Sequence, residues 1–512
     1  MSEAVRGARA GAAWRTALAA LALLAACRTG ASAARPAASG EVRMLLVNDV
    51  YVADTLRDGT GGLARVAALR AQLVREGPLL FLLAGDVLSP SLLSKWYAGR
   101  QMVDAFNAAG LDYATFGNHE FELPRDTLIA RIGQSRFRWV GANCTLADGA
   151  PFPGVPAWDT VTVGGTRVGI FGVTLVEQYR SYVRCTDPFA AAARATAELR
   201  AAGAQLVVAL THQTLRADSL LLAREPGIDV VLGGHEHEAH DLTSAGRRVL
   251  KADANSRSAQ LVTVRRADGA WRAAARLERM DARRPLDPAT QATADHWRDS
   301  LRRRLGVERV VATTSTPLDA RDALSRRQET ALGDLITDAV RHGTGADVAV
   351  INSGALRLDD VLPAGPITNY QLESVFLFAD ETRMVTFPLT GARLRAVLEH
   401  GVGEQSHGHG GFLQLSGVRF RYDLTRPNGG RIVGDVLRDD GRPVAAGDTL
   451  RLSMPVYPAC LGGDGYEVPE AKAVCEHAAA APRAVDLLVT HVTTRLAGKL
   501  EPRVGERVVP VR

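Results

Sequence analysis

Short apolar runs alternate with amphipathic stretches over residues 41–284, and this alternation restricts the fold more than any other feature of the chain. Each apolar run stops at Gly, Asn, Asp, Thr or His, as in MLLVND, LLFLLAGD, YATFGN, RWVGAN, RVGIFGVT, AQLVVALTH and IDVVLGGH. Amphipathic stretches lie between several of them, for example GGLARVAALRAQLVRE (residues 61–76) and FAAAARATAELRAAG (189–203). Buried strands that alternate with helices predict a layered α/β domain.

A second domain follows, because a chain of 512 residues is too long for one ordinary core. Residues 286–308 are charged and predict a largely exposed connector helix. After them come the helical pattern ALGDLITDAVRHG (331–343), the strand ADVAVINSG (346–354) and β-like segments such as RMVTFPL, VRFRYDL and TLRLSMPVY, which indicate α+β structure. We therefore predict an α/β domain over residues 41–285 and an α+β domain over residues 309–512.

Residues 1–27 predict a targeting segment. Arginines precede an apolar stretch, TALAALALLAA (16–26), that is too short to span a bilayer. It runs into LAAC, and small residues before a cysteine resemble the bacterial lipobox, which would make Cys27 a lipidated residue; a plain cleaved signal peptide is the alternative. Residues 28–40 are small and indicate a flexible tether. We expect a lipid-anchored periplasmic protein, and the membrane that holds the anchor stays open.

Charge and cysteine usage restrict partners and compartment. The net charge is +5, but acidic and basic residues are interspersed and no Lys/Arg stripe with aromatics occurs, so we expect no nucleic-acid polymer as partner. The cysteines other than Cys27 are Cys144, Cys185, Cys460 and Cys475. In an oxidising compartment an even number permits disulfides. Their order along the chain favours pairing of the first with the second and of the third with the fourth, and the other pairings stay open.

The apolar runs of the first domain end on side chains that bind metal ions. These are Asp49, Asp86, Asn118 with the adjacent His119, His212, His235 and His237. In open α/β sheets ligands bind at the carboxyl ends of the strands, so we expect these side chains to meet in one cleft. Oxygen and nitrogen donors without thiolate suit Mn²⁺, Zn²⁺, Mg²⁺ or iron. A carboxylate such as Asp86 can bridge two ions about 4 Å apart, the arrangement that clamps a phosphoryl group in transfer.

This set, Asp…Gly-Asp…Gly-Asn-His-Glu…His…Gly-His-X-His, resembles that of the calcineurin-like binuclear metallophosphoesterases. Together with the second domain, residues 41–512 are similar to the bacterial 5'-nucleotidase/UDP-sugar hydrolase family. The resemblance implies a four-layer α/β/β/α sandwich, a C-terminal α+β substrate-binding domain, and rotation of the two about the connector. It also implies two divalent ions, a metal-held hydroxide that attacks phosphorus, and a small-molecule nucleotide as substrate.

The resemblance assigns the donors to two metal sites and a catalytic pair. The bridging ligand is Asp86, and the other metal ligands are Asn118, His212 and His235 at one site and Asp49 and His237 at the other. The catalytic pair is His119 and the acid that orients it, Glu122, which is one methylene longer than the family's usual aspartate. Tyr51 stands where the family has a histidine; we expect its ring to pack or line the pocket and the ion at that site to be held more weakly.

The second domain supplies the substrate contacts that the resemblance implies. The loop INSGALR is similar to the family's Asn-Gly-Gly-Gly-Ile-Arg loop, and VFLFADET and VYPACLGGDGY carry aromatic residues that match its base-stacking positions. The matching residues are Asn352, Arg357, Arg327 (with Arg326 as the alternative), Phe378, Tyr457 and Asp464. Stacking between two aromatic rings would define a nucleoside pocket without naming the base.

Several alternatives remain open on this scaffold. The substrate could be a UDP-sugar, a 2',3'-cyclic nucleotide or a sulfur ester, since thiosulfohydrolases share it. A different class is a catalytically impaired nucleotide-binding lipoprotein, which Tyr51 and Glu122 would favour. A purely structural envelope protein would not need metal donors at so many strand ends. The metal, the base and the oligomeric state stay open.

Overall fold

The computed structural model describes residues 40–177, 179–358, 360–378, 382–404 and 406–511. The predicted lipidation site, Cys27, lies outside these residues, as does most of the predicted tether. Among the helices of the described part of the chain, none is long and apolar enough to cross a membrane.

Two six-stranded sheets form the centre of the N-terminal domain. Its strands are β1 (Glu41–Val47), β2 (Leu80–Ala84), β3 (Tyr113–Thr115), β4 (Arg138–Val140), β5 (Cys144–Leu146), β6 (Trp158–Val163), β7 (Thr166–Thr174), β8 (Val183–Cys185), β9 (Leu206–His212), β10 (Val230–Gly234), β11 (His240–Ser244), β12 (Arg247–Lys251), β13 (Ser258–Ala267) and β14 (Ala270–Arg279). One sheet has the order β14-β13-β1-β2-β3-β4 and the other β11-β12-β10-β9-β7-β6. Strands β1 to β4 pair in parallel, as do β7, β9, β10 and β12.

Helices cover both outer faces of this pair of sheets, as the strand–helix alternation predicted. They are Leu63–Glu76, Leu92–Tyr97, Arg100–Ala109, Arg125–Gln134, Pro188–Ala201, Leu215–Arg224 and Pro288–Leu305. In β1, Met44 and Leu46 pack between the sheets while Leu45 and Val47 pack under the helices, because successive side chains of a strand point to opposite faces. Both faces are buried, which explains why the run is apolar throughout. The predicted α/β/β/α order of layers is confirmed.

The connector segment forms the helix Pro288–Leu305, in which the Asp287 side chain caps the N-terminus by accepting from Thr290 N. The prediction that it is largely exposed is wrong along one stripe. Trp297 and Leu301 are buried, since the helix packs against Leu63–Glu76 and Arg100–Ala109. This helix is therefore part of the helical layer of the N-terminal domain.

The C-terminal domain is α+β, as predicted. Its strands are β15 (Val310–Thr314), β16 (Leu318–Asp319), β17 (Val348–Asn352), β18 (Val361–Leu362), β19 (Gly365–Thr368), β20 (Met384–Thr390), β21 (Leu413–Ser416), β22 (Val418–Tyr422), β23 (Ile432–Arg438), β24 (Thr449–Pro455), β25 (Lys499–Leu500) and β26 (Val508–Pro510). Its helices are Asp322–Ser325, Ala331–Thr344, Asn369–Val375, Gly391–Gly401, Val456–Cys460, Lys472–Cys475 and Ala484–Thr490. A four-stranded sheet, β20-β24-β17-β21, lies at its centre. The amphipathic helix Ala331–Thr344 covers one face of this sheet and buries Leu332 and Ile336 there.

Both disulfides favoured by the order of the cysteines are present. Cys144 bonds to Cys185 and joins the paired strands β5 and β8. Cys460 bonds to Cys475 and ties the helix Val456–Cys460 to the next helix.

The two domains meet through a buried ion pair. Lys95 Nζ lies 2.7 Å from Glu373 Oε1 and donates to Phe376 O at 2.6 Å. The lysine side chain is 1% exposed. This contact lies two residues before Phe378 in the chain, so it joins the first domain to the segment that carries that ring.

Candidate active site

The carboxyl ends of the parallel strands bring the predicted donors to one edge of the sandwich. Asp49 follows β1, Asp86 follows β2 and His212 ends β9. One ligand atom from each of these three residues lies within 4.8 Å of the others, and all three are buried. Oxygen and nitrogen donors packed this closely, with two carboxylates out of water, form a site that a cation would stabilise.

His212 is held with one ring nitrogen toward this group. Its Nδ1 donates to Ala84 O at 2.8 Å, so Nε2 is the nitrogen that lies 3.1 Å from both Asp86 Oδ2 and Asn118 Oδ1. Burial would lower the pKa of His212, but the Asp86 and Asp49 carboxylates raise it to about 10. The negative charge that retains this proton is the charge that a metal ion would neutralise.

The remaining predicted ligands lie beside Asp49. His237 Nε2 is 3.5 Å from Asp49 Oδ1, and the His235 backbone N–H donates to Asp49 Oδ2 at 2.9 Å. The His235 ring packs edge-on against the His212 ring, with centroids 5.3 Å apart. Asn48 also donates to Asp49 Oδ2, at 2.7 Å. Asn48 was not among the predicted site residues, although it directly precedes Asp49.

Backbone conformation at these strand ends is strained. The φ angles are 54° at Asp49, 56° at Asp86, 92° at His235 and 63° at His237. Left-handed backbone costs a non-glycine residue about 1 kcal/mol or more, and such residues cluster at functional sites. This strain lowers the stability of the fold, and it directs these four side chains into the cleft.

Tyr51, which replaces the family's histidine, places its hydroxyl among the donors. Its Oη lies 3.0 Å from Asp86 Oδ2, 3.1 Å from His237 Nε2 and 3.5 Å from Asp49 Oδ1. The residue is 9% exposed. The ring lines the cleft as expected, but the hydroxyl contacts both carboxylates.

His119 lies at the rim of this group with an acid behind it. Its Nδ1 donates to Glu122 Oε1 at 2.8 Å, and Ser89 Oγ donates to Glu122 Oε2 at 2.8 Å. Glutamate at this position thus reaches the imidazole despite its extra methylene. Burial would lower the pKa of His119, but the carboxylates of Glu122 and Asp86 raise it to about 9. These carboxylates therefore favour the protonated form of His119.

Arg357 connects the second domain to this pair. Its Nη2 donates to Glu122 Oε1 at 3.2 Å, and its guanidinium lies over the Phe378 ring, 5.5 Å from the centroid. Burial opposes ionisation of Glu122, but the charges of His119 and Arg357 hold its pKa below the usual value. The cleft between the domains thus ends in a cationic side chain from each domain.

Two of the other predicted substrate contacts, Asn352 and Asp464, meet in the second domain. Asn352 ends β17, and its Nδ2 donates to Asp464 Oδ2 at 2.8 Å. Asn352 Oδ1 is buried and lacks a hydrogen-bond partner in the described part of the chain. Burial raises the pKa of Asp464, although the Asn352 amide and the charges of Arg326 and His400 oppose this effect. Here the structure offers a carboxylate and an unpaired amide oxygen side by side.

Of the two candidate substrate arginines, Arg326 is the one near Asp464. Its charge stabilises the Asp464 carboxylate, and it also pairs with Asp322. Arg327 is exposed and lies against Gly408. A Cβ atom added to that glycine would be 3.4 Å from Arg327 Nη1. The spacing of the sequence left both open, because consecutive residues at a helix end point in different directions.

The two predicted stacking rings are half-buried. Phe378 lies under Arg357, and the Tyr457 ring packs directly on Gly463. Tyr457 belongs to the helix Val456–Cys460, whose last residue is tied by the disulfide to Cys475.

Comparison with known proteins agrees with both halves of this arrangement. The family model for calcineurin-like phosphoesterases matches residues 42–239, and the model for the 5'-nucleotidase C-terminal domain matches residues 310–471. Snake venom 5'-nucleotidase from Naja atra is 26% identical over 490 residues, which cover 84% of this chain and 91% of the relative.

The chain belongs to the 5'-nucleotidase family of metallophosphoesterases. Among solved structures, the 5'-nucleotidase precursor of Thermus thermophilus superimposes with a TM-score of 0.74 at 26% identity, and the match covers 92% of this chain and 99% of that one. A sulfate thiohydrolase, SoxB, from the same genus has the same fold, with a TM-score of 0.67 at 20% identity over 92% of this chain and 97% of that one.

The metallophosphoesterase family implies divalent metal ions, and the residues of this chain fit them. Asp49, Asp86 and His212 are the kind of oxygen and imidazole ligands that such ions take. The two carboxylate oxygens of Asp86 have different partners. Oδ1 accepts from His119 N at 2.9 Å, while Oδ2 faces His212 and Tyr51. This one carboxylate therefore contacts residues from several of the strand ends.

Glu120 is a member of the site that the sequence did not reveal. It is fully buried, and its carboxylate accepts from the backbone N–H groups of Asp86, Val87, Leu88 and Gly117 at 2.6–2.9 Å. It thus ties the turn after β2 to the turn after β3, which carry Asp86 and His119. In this nucleotidase-family chain the GNHE segment supplies a structural anchor as well as donors.

Proposed function

We propose that the chain hydrolyses phosphate esters of nucleotides in a metal-dependent reaction, with nucleoside 5'-monophosphates as the main substrates. The observation that carries this proposal is the buried group of Asp49, Asp86 and His212 next to the hydrogen-bonded His119–Glu122 pair. The relatives named 5'-nucleotidases, from snake venom and Thermus thermophilus, support the same class of substrate.

Two divalent ions would be held at the strand ends. The residues that would hold them are Asp86, which the resemblance makes a ligand of both ions, Asn118, His212 and His235 for one ion, and Asp49 and His237 for the other. Bound there, such ions polarise the phosphoryl group and supply a water-derived nucleophile near neutral pH. Mn²⁺, Zn²⁺, Mg²⁺ and iron are the candidates.

The chain's own residues position the phosphate and manage charge. His119, with Nδ1 bound to Glu122, has Nε2 left to donate to a phosphoryl oxygen or to the leaving oxygen. Arg357 lies next to this pair and would meet the same developing negative charge.

The second domain would bind the nucleoside. Phe378 and Tyr457 are proposed to stack on the base, and Asn352 and Asp464 to bind the ribose side. The substrate arginine is Arg327 by sequence match, whereas proximity to Asp464 favours Arg326. In this scheme residues 41–285 are the catalytic domain, residues 286–308 the connector and residues 309–512 the substrate-binding domain.

The test is a phosphate-release assay on the full purified chain after its metals are removed. Nucleoside monophosphates, 2',3'-cyclic nucleotides and UDP-sugars are each incubated with each candidate ion. We expect metal-restored phosphate release, greatest with 5'-monophosphates. Asp86→Asn should lower the rate by more than about 100-fold, the upper end of what loss of an outer-shell partner costs a metal site. Asp126→Asn, at a 95% exposed side chain, is the matched control. Full metal content without hydrolysis of any ester contradicts the proposal.

We also infer that the protein is anchored in the cell envelope through Cys27, outside the described residues. The lipobox-like LAAC and the small-residue stretch after it support this location. Cys27→Ser should move the protein from the membrane fraction to the soluble fraction and leave its phosphate release unchanged. If the variant stays in the membrane fraction, Cys27 is not the anchor.

A further inference from the structure

We propose that Tyr51 is itself a metal ligand: its phenolate oxygen binds the ion held by Asp49 and His237. This inference rests on the proposed metal-dependent function and adds to it a fourth donor that distinguishes this chain. No sequence match assigns a ligand at this position, where a phenol stands in place of an imidazole.

The spacing of the donor atoms carries the proposal. Tyr51 Oη lies 3.0 Å from Asp86 Oδ2, 3.1 Å from His237 Nε2 and 3.5 Å from Asp49 Oδ1, and those last two atoms are 3.5 Å apart. Ligand atoms at about 2.1 Å from one ion lie about 3.0 Å apart in an octahedral site and about 3.4 Å apart in a tetrahedral one. The spacing of these atoms is that of ligands to a single ion.

The hydroxyl is fixed in this position. Tyr51 N donates to Asn255 Oδ1 at 3.0 Å, and the ring packs edge-on against His237 and His119 with centroids 5.6 Å and 6.0 Å away. The residue lies two positions after Asp49, whose backbone is strained, and it is nearly inaccessible to water. A rotation of the phenol toward solvent would require His237 and His119 to move.

The phenol oxygen lies against three possible metal ligands. It has one hydrogen to donate, and two carboxylate oxygens and one imidazole nitrogen surround it. An ion at their centre would interact favourably with all four atoms. Binding breaks the phenol O–H bond, forms an oxygen–metal bond and releases one proton to solvent.

The exchange of imidazole for phenolate has a consequence for the metal. The site gains one anionic oxygen and loses one neutral nitrogen, so it should favour harder cations. We therefore expect this chain to prefer iron or manganese over zinc at the Tyr51 position.

Spectroscopy of the full metal-free chain tests this directly, without an activity assay. Titration with Zn²⁺ should produce the ultraviolet difference spectrum of one tyrosinate per chain, and loading with Fe³⁺ should produce a visible phenolate-to-iron charge-transfer band. Both signals should disappear in Tyr51→Phe and Tyr51→His. Tyr182→Phe is the matched control, since it removes another part-buried phenol that donates to Leu123 O at 2.6 Å. That variant should retain both signals.

Metal affinity gives a second readout. In Tyr51→Phe the weaker-bound ion should dissociate at least about tenfold more readily, while Tyr51→His should recover binding of Zn²⁺ but not the iron band. Should Tyr51→Phe fail to fold, the wild-type spectra and the histidine variant still decide.

Two outcomes overturn the proposal. One is a wild-type chain that binds two ions without a tyrosinate signal; the other is a signal that persists in both Tyr51 variants. Failure of the proposed function gives a different result, namely a tyrosinate signal and bound metal without phosphate release from any nucleotide.

Discussion

The candidate metal cleft and the proposed nucleoside pocket of this protein are built in opposite ways. In the cleft, Asp49, Asp86 and His212 come from strand ends of one domain, and each is at most 1% exposed. In the proposed pocket, Phe378 and Tyr457 are half-buried and come from segments that are distant in the chain, a loop and the short helix Val456–Cys460. The metal site needs the more precise positions. Metal ligands tolerate errors of only a few tenths of an ångström, whereas an aromatic ring stacked on a base can slide and keep its contact.

Two glycines show the same difference between the metal cleft and the proposed nucleoside pocket. A Cβ at Gly117 would collide with Asp86 Oδ1, which is held by the His119 backbone. A Cβ at Gly463 would collide with the Tyr457 ring. The carboxylate has no free space to move into, whereas a half-exposed ring can rotate away.

The largest effect should come from Gly117→Ala. Displacement of Asp86 should remove bound metal and lower kcat by at least about 100-fold, because outer-shell changes alone cost up to that factor. Gly463→Ala should raise KM with little change in kcat. Metal content and steady-state kinetics measure both. Gly133→Ala, on an outer helix with nothing within 4 Å of the added methyl group, is the control. Equal losses of bound metal and of kcat in Gly117→Ala and Gly463→Ala would contradict the difference between the two sites.

Glu122→Gln tests the catalytic pair without touching the metal ligands. The amide keeps the shape but loses the charge that orients and protonates His119, so kcat should fall about 10- to 100-fold at unchanged metal content. Glu122→Asp should retain more activity than the amide if the charge is what counts. Metal loss in Glu122→Gln would instead assign the residue a structural role.

Phe378→Ala should act on binding alone. Loss of one stacking face should raise KM about tenfold, which corresponds to roughly 1–2 kcal/mol, while kcat stays near the wild-type value. Phe189→Ala is the matched control, because Phe189 also lies under an arginine, Arg224, but on an outer helix of the other domain. A change in kcat from Phe378→Ala that equals the change in KM would place this ring in the chemical step.

The neighbouring arginines give a smaller and directional prediction. Arg326→Ala should raise KM more than Arg327→Ala, by about fivefold, since a charged hydrogen bond is worth roughly 1.5–3 kcal/mol and is partly replaced by water. The reverse order would restore the assignment that the sequence match favours.

The smallest effect concerns the frame of the second domain, away from both sites. Burial and the neighbouring Glu329 raise the pKa of Asp334 to about 8. The native state then keeps a proton that the unfolded chain loses near pH 4, so this group's contribution to stability is lost as the pH rises toward 8. Asp334→Asn should therefore raise the free energy of unfolding by about 1 kcal/mol at pH 8 and by less at pH 5.

For Asp338 we expect a pH dependence of stability of the opposite sign. Burial opposes its ionisation, but hydrogen bonds from Arg507 and Ser416 lower its pKa. Asp338→Asn should destabilise the protein at neutral pH, and the difference should shrink as the pH falls through the folded-state pKa. Thermal unfolding at several pH values measures both, and parallel pH profiles for the two variants would contradict the assigned charges. Neither variant should change kcat.

Most of the fold was predictable because its signals are local. The apolar runs predicted strands β1 to β4, β7, β9 and β10, and periodicity predicted the helices Leu63–Glu76 and Pro188–Ala201. The connector helix was predicted in place but its buried stripe was not. Trp297 and Leu301 occur among so many charged residues that the apolar face emerges only when the neighbouring helices are present.

The site was predictable to the extent that strand ends carry donors. Asp49, Asp86 and His212 do meet, since parallel strands deliver their last residues to one edge. Glu120 was missed because a carboxylate that binds backbone N–H groups has no sequence pattern that separates it from a solvated one. Asn48 was missed for the same reason.

The amino-acid sequence by itself determined the layers, the order of the elements and which residue types stand at the strand ends, since these depend on hydrophobic period and turn chemistry within a few residues. The tertiary structure decided the rest. It directed Tyr51 Oη toward two carboxylates, placed Arg326 where its charge lowers the pKa of Asp464, and brought Arg357 of the second domain to Glu122 of the first. Contacts between residues far apart in the chain depend on backbone direction and packing, which no local pattern encodes.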